Sequence, residues 1–241
     1  RDHRSLGRVG SDLVGEPLAR AVVPALAGCE LLRGDRPVGG RRHGARHLVA
    51  GHEAGVEAAY IEPLACAIHA VERADIHFGD VVVVAGAGPL GLGMVAAARL
   101  KHPGLLISLD LKDHRLAVAQ ACGADLVLNP TKVDVVAEVR KLTGGDGCDI
   151  YIEATGQPSG VQQGLQMIRR LGTFVEFSVL REPVTVDWTI IGDTKELDIR
   201  GSHLGPYCYP IAMDMLAKGL LVSDLISILG SLDYVLADVD R

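Results

Sequence analysis

The chain has 241 residues, enough for one large domain or one domain with a further segment. It is 48% hydrophobic and only 4% aromatic, so Val, Ile, Leu and Ala must fill its core. A net charge of −6 argues against nucleic acid as a partner. Five scattered cysteines with no C-x-x-C pair argue against a disulfide framework, and no apolar run reads as a membrane span or secretory signal. A cytoplasmic protein is the expectation these totals leave.

Residues 1–57 contain nine Arg, no Lys and no sustained helical or alternating pattern. The run Gly39-Gly40-Arg41-Arg42-His43-Gly44 reads as an irregular segment, with an anion-binding arm as the functional alternative. From Ile61 onward, apolar runs alternate with amphipathic stretches, the signature of a parallel α/β sheet.

Four consecutive valines at 81–84 predict a strand buried on both faces. A helix follows over 89–101, with Pro89 in its first turn, where no amide hydrogen is missed. A strand is predicted at 105–109, a helix at 115–122 stopped by Gly123, and a strand at 126–128. Next come a helix at 133–142 and a strand at 150–152. Ser159 is the candidate cap of a helix reaching Arg169 and Arg170 and ended by Gly172. Strands at 173–177 and 197–200 and a helix at 210–218 complete the pattern. The organisation is therefore an irregular segment at 1–57, a doubly wound parallel α/β sheet of the Rossmann type at 58–220, and a return segment at 221–241.

Gly86-Ala87-Gly88-Pro89-Leu90-Gly91 matches G-x-G-x-x-G, and it ends a buried strand and opens a helix. Gly86 permits the tight turn, Gly88 lets backbone approach a pyrophosphate, and Gly91 lets the helix pack against the strand. The pyrophosphate would face free amides at the helix start. Asp110, 19 positions after Gly91, ends the second strand, where its carboxylate can accept from ribose hydroxyls and would repel a 2′-phosphate. NAD is therefore expected over NADP, although Arg115 could neutralise a phosphate. A methyltransferase shares a glycine-rich first turn and a following acid, but the third glycine and the strand–helix count fit it less well.

These residues carry a resemblance. Glu62-Pro63-Leu64-Ala65-Cys66-Ala67-Ile68-His69-Ala70, Gly79-Asp80-Val81, the glycine motif, Thr143-Gly144-Gly145 and Asp149-Ile150-Tyr151-Ile152-Glu153-Ala154-Thr155-Gly156 resemble the medium-chain, zinc-containing alcohol and polyol dehydrogenases. Lys195-Glu196-Leu197 and Gly201-Ser202 continue the likeness, which covers roughly 58–220. Val186-Asp187-Trp188 and His203-Leu204-Gly205-Pro206-Tyr207-Cys208 look most like the erythritol/threitol branch, with threonine and sorbitol dehydrogenases as alternatives. The resemblance implies that Gly86, Gly88, Pro89, Leu90, Gly91, Asp110 and Arg115 hold NAD. Thr155 and the segment 177–180, with Val179, would lie along the nicotinamide. It implies hydride transfer from a secondary alcohol of a small-molecule polyol, and a homo-oligomer joined at a sheet edge.

The family also implies a catalytic zinc held by a Cys, a Gly-His-Glu and the E-P-L glutamate. Cys29, His52, Glu53 and Glu62 answer to that set, with Glu62 the candidate catalytic residue, and zinc accepts all three residue types. Their spacing departs from the family's, because only eight residues separate Glu53 from Glu62 where the family has a β-rich domain. The chain is thus expected to be a shortened form of a longer enzyme. A non-catalytic NAD-binding fragment stands beside the active dehydrogenase as the second reading. Glu62 has a plainer role as a carboxylate at a helix N-terminus. His69 reads as a packing residue, Cys66, Cys122, Cys148 and Cys208 as small buried hydrophobes, and Arg169–Arg170 as a solvated helix end.

Overall fold

The computed structural model describes residues 54–220 and Leu225, with side chains from residue 58 onward. The segment 1–53, with Cys29, His52 and Glu53, lies outside the described residues, as does most of 221–241. None of the described helices is long and apolar enough to cross a membrane.

Six parallel strands form one sheet in the order β3-β2-β1-β4-β5-β6: β1 Val81–Ala85, β2 Leu105–Leu109, β3 Leu126–Leu128, β4 Cys148–Glu153, β5 Ile168–Glu176 and β6 Asp198–Gly201. The helices are α1 Ala54–Ala74, α2 Pro89–Arg99, α3 Asp113–Ala121, α4 Val135–Leu142, α5 Pro158–Met167 and α6 Tyr209–Ala217. Alternate strand residues feed two cores. Val82, Val84, Leu106, Ile150 and Ile152 pack beneath α1, α2 and α6, whereas Val83, Ile107, Tyr151 and Phe174 pack beneath α4 and α5. This is the doubly wound Rossmann arrangement, and the order reverses between β1 and β4, where such sheets open a ligand crevice.

Several predicted boundaries need correction. The helix expected to reach Arg169 and Arg170 stops at Met167, and Ile168 already pairs with Cys148 as the start of β5. Arg169 is not a solvated helix end, because its Nε ion-pairs with Asp149. Leu171, not Gly172, takes the left-handed conformation, with φ 57°. Gly172 serves close packing instead: a Cβ there would meet Ile168 Cγ1 at 2.5 Å and Asp149 O at 3.0 Å. Pairing with β4 overrides the local helical pattern. Ser159 is not the cap of α5 either, since Gln157 occupies that position and Pro158 opens the helix. For α4, Asp134 caps by accepting from Ala137 N at 3.0 Å, so Val133 lies outside the helix.

The first helix also differs. It runs from Ala54 through Pro63 to Ala74. Pro63 has no N–H to offer the carbonyl of Ala59, and Ala59 is exposed, so water can donate to that carbonyl in its place. Glu62 therefore sits mid-helix, away from the positive end of the dipole.

Candidate functional site: the cleft at the sheet's carboxyl edge

The β1–α2 turn builds the site. Gly86, at φ 99°, donates its N–H to Leu109 O at 2.7 Å, and a Cβ there would lie 2.6 Å from Ala154 O. A Cβ on Gly91 would overlap the Gly86 carbonyl oxygen, so α2 can start this close to β1 only with glycine at that position. Gly88 differs, because a Cβ on it would meet only Arg115 Nη1, at 3.7 Å, and its face is open to the cleft. Pro89 stands at the first helical position, and α2 has no side-chain cap and no acid in its first turn. That leaves its N-terminal amides facing an anion's place. Tyr60 of α1 donates to Pro89 O at 2.7 Å and braces the turn from behind.

A cleft of about 480 Å³ opens here, lined by Gly86, Gly88, Asp110, Arg115, Thr155 and Arg181 among others. Asp110 ends β2 with its side chain only 8% exposed. It accepts from Ala87 N at 2.8 Å and Lys112 N at 2.9 Å, and Arg115 Nη1 stands 3.6 Å from the same carboxylate. Two oxygens offer about four lone-pair positions, so the backbone contacts orient the carboxylate without exhausting it. This donor and acceptor set fits a dinucleotide: open amides for the pyrophosphate and an aimed carboxylate for a ribose.

On the far side of the crevice, buried Glu153 holds the turn after β4. Its Oε1 accepts from Thr155 N at 2.8 Å and from the Thr155 hydroxyl, and its Oε2 accepts from Gly156 N at 3.3 Å. Thr155 is thereby fixed on the cleft wall. The Val179 side chain is 92% exposed and outside the lining, but its carbonyl packs over Gly156, where a Cβ would come within 3.0 Å. Sequence reasoning missed Arg181, which lines the cleft and whose N–H donates to Gly156 O at 3.2 Å. It follows directly on the segment 177–180, and no spacing rule singled it out. Glu153 is legible only as part of a motif, although an acid inside an apolar strand run is a signal in itself.

Of the residues answering to a zinc set, only Glu62 is described. It is exposed, and its Oε1 accepts from Cys66 Sγ at 3.2 Å. Burial, and then the neighbouring Glu62, push the Cys66 thiol up to about 12, so it stays protonated. One carboxylate beside a neutral thiol does not make the family's zinc centre, and among the described residues nothing else joins Glu62. Cys66, Cys122, Cys148 and Cys208 are all buried, as expected of small hydrophobes.

Comparison with known proteins agrees with this geometry. The family model described as zinc-binding dehydrogenase matches residues 89–218. The erythritol/L-threitol dehydrogenase of Mycolicibacterium smegmatis is 51% identical over 178 residues, 74% of this chain and 49% of that protein. Among solved structures, a zinc-binding dehydrogenase of Sinorhizobium meliloti bound to NADP is 27% identical with a TM-score of 0.65, covering 73% of this chain and 55% of that one. An alcohol dehydrogenase of Escherichia coli complexed with NADH is 29% identical with a TM-score of 0.63, covering 69% and 49%. The chain spans about half the length of the curated relatives it matches. On its sequence, sheet order and glycine-rich turn, this chain belongs to the zinc-binding dehydrogenase family.

Proposed function

We propose that this chain forms the cofactor half of an NAD-dependent polyol dehydrogenase, which removes hydride from a secondary alcohol of a small polyol, with a tetritol as first candidate. The observation that carries the cofactor choice is Asp110, just after β2, with its side chain largely covered and aimed by Ala87 N and Lys112 N. It suits two ribose hydroxyls and opposes a 2′-phosphate. The amides behind Gly88 take the pyrophosphate, Arg115 bounds the adenosine side, and Thr155, held by Glu153, bounds the nicotinamide side. Bound NAD supplies the hydride acceptor. The chain's own contribution is to orient that cofactor and keep its reactive end at the crevice between β1 and β4. The tetritol is suggested by the activity named for the M. smegmatis relative. L-threonine and sorbitol are the alternatives to screen.

Calorimetry with NAD and NADP on the full chain and on Asp110→Ala, with zinc analysis of the same sample, tests the reading. NAD should bind in preference to NADP, and Asp110→Ala should weaken NAD about tenfold to a hundredfold, the loss of a hydrogen bond to a charged group. Equal affinity for both nucleotides, or an indifferent Asp110→Ala, would overturn the cofactor assignment. The surroundings of Glu62 favour a second reading, a chain that binds NAD without turnover. Formation of NADH with erythritol or threitol present separates the two.

A further inference from the structure

Outside the nucleotide cleft, α1 carries a second set of side chains with distinctive chemistry. Cys66, His69 and Glu72 follow one another three residues apart, a spacing that stacks them along one stripe of the helix. Against this stripe comes Cys208, the residue that caps α6 and lies 136 positions from Glu72 in the chain. Its Sγ donates to Glu72 Oε2 across 3.7 Å, and it is 1% exposed. One ligand atom from each of His69, Glu72 and Cys208 lies within 4.8 Å of the other two.

We propose that His69, Glu72 and Cys208 form a metal site for a zinc-class divalent cation, joining α1 to the start of α6. Imidazole, carboxylate and thiolate are the ligand types zinc accepts, and the thiolate disfavours magnesium and calcium. Tetrahedral zinc would set such ligand atoms about 3.5 Å apart. The Glu72–Cys208 pair already stands near that separation, at 3.7 Å, and one His69 ring nitrogen lies within 4.8 Å of both. Binding moves the Cys208 thiol proton to solvent as the sulfur–metal bond forms. Glu72 is exposed, so water reaches the fourth position. The site shares no residue with Cys29, His52, Glu53 and Glu62. The plainer assignment makes Cys208 an apolar filler where α6 packs on α1, His69 a packing residue and Glu72 a surface acid.

The test uses the full chain carrying Cys29→Ser, so that no signal can come from a set that includes Cys29. Stripped of metal and titrated with Co(II), it should develop a thiolate-to-cobalt charge-transfer band, and zinc should displace the cobalt and raise Tm. Adding Cys208→Ser should abolish the band. His69→Gln should keep the thiol but weaken zinc at least about tenfold. Circular dichroism checks that each variant folds. Should Cys208→Ser fail to fold, His69→Gln and Glu72→Gln decide through their zinc affinities. No band in the Cys29→Ser chain, a band that survives Cys208→Ser, or zinc affinity indifferent to both His69→Gln and Glu72→Gln overturns the proposal.

Discussion

The two halves of the sheet are held together differently. In the β1–β2 half β1 and β2 each leave only their first residue partly exposed, and the strand, the glycine turn and the helix that complete a unit follow one another within about thirty residues. The β5–β6 half depends on distant segments. Arg73 at the end of α1 donates to Gly201 O at 3.0 Å and Arg200 returns a bond to Arg73 O at 3.0 Å, 127 or more residues apart in the chain. Three of the four β6 residues are exposed, and Trp188 and Tyr207 are 72% and 91% exposed. The inner half is built from local rules and finished by its own helices. The outer half is held by long-range caps and presents apolar side chains to its surroundings.

The sharpest way to break the inner half is Gly91→Val. The added atoms collide with the Gly86 carbonyl, so α2 must back away from β1. We expect a loss of about 3 kcal/mol in urea unfolding, with nucleotide affinity abolished. Retained affinity would mean that the helix start need not lie so close. The corresponding change in the outer half is Lys195→Met. Lys195 Nζ donates to Leu165 O at 2.7 Å, Gln166 O at 3.0 Å and Ile168 O at 2.6 Å, capping the end of α5. Its removal leaves those carbonyls without that cap and should cost about 2 kcal/mol in thermal unfolding. NAD affinity should hold, because this cap lies at the strand ends opposite the cleft. A fall in affinity as large as that of Gly91→Val would erase the distinction between the halves.

The same contrast explains what was legible in the sequence. Val81 to Val84, the three glycines and Asp110 declare themselves through spacing, because each acts on neighbours within a single strand–turn–helix unit. Ile168 and Arg169 depart from the helical expectation because their strand state depends on Cys148 and Asp149, and no local pattern encodes that pairing. Glu62 is expected at a helix N-terminus, yet an exposed Ala59 lets the helix pass through Pro63 and leaves Glu62 mid-helix. Cys208 reads as an isolated apolar residue because its neighbours His69 and Glu72 meet it only after the chain has laid down all six strands.

Glu176 tests the comparison most finely, since it is an acid inside the outer half. It stands beside Glu153 in register across β4 and β5, with Gly201 opposite on β6, and its Oε1 is buried without a hydrogen-bond partner. Burial first, and the Glu153 charge second, raise its carboxyl from the ordinary value near 4.5 to about 7. Between those values the folded chain keeps a proton that the unfolded chain has released. This contribution to stability is therefore full below about 4.5, falls as pH rises, and is gone above about 7. Solvent reaches part of the side chain, so the fall should be only about 1 kcal/mol, well short of full burial. Glu176→Gln stays neutral throughout. Its urea midpoint, compared with that of the parent from about pH 5 to about pH 8, should gain ground as pH rises. Parallel curves would mean that Glu176 ionises freely in the fold and that water has already entered this end of β5. The outer half would then be open to solvent at its core as well as at its edge.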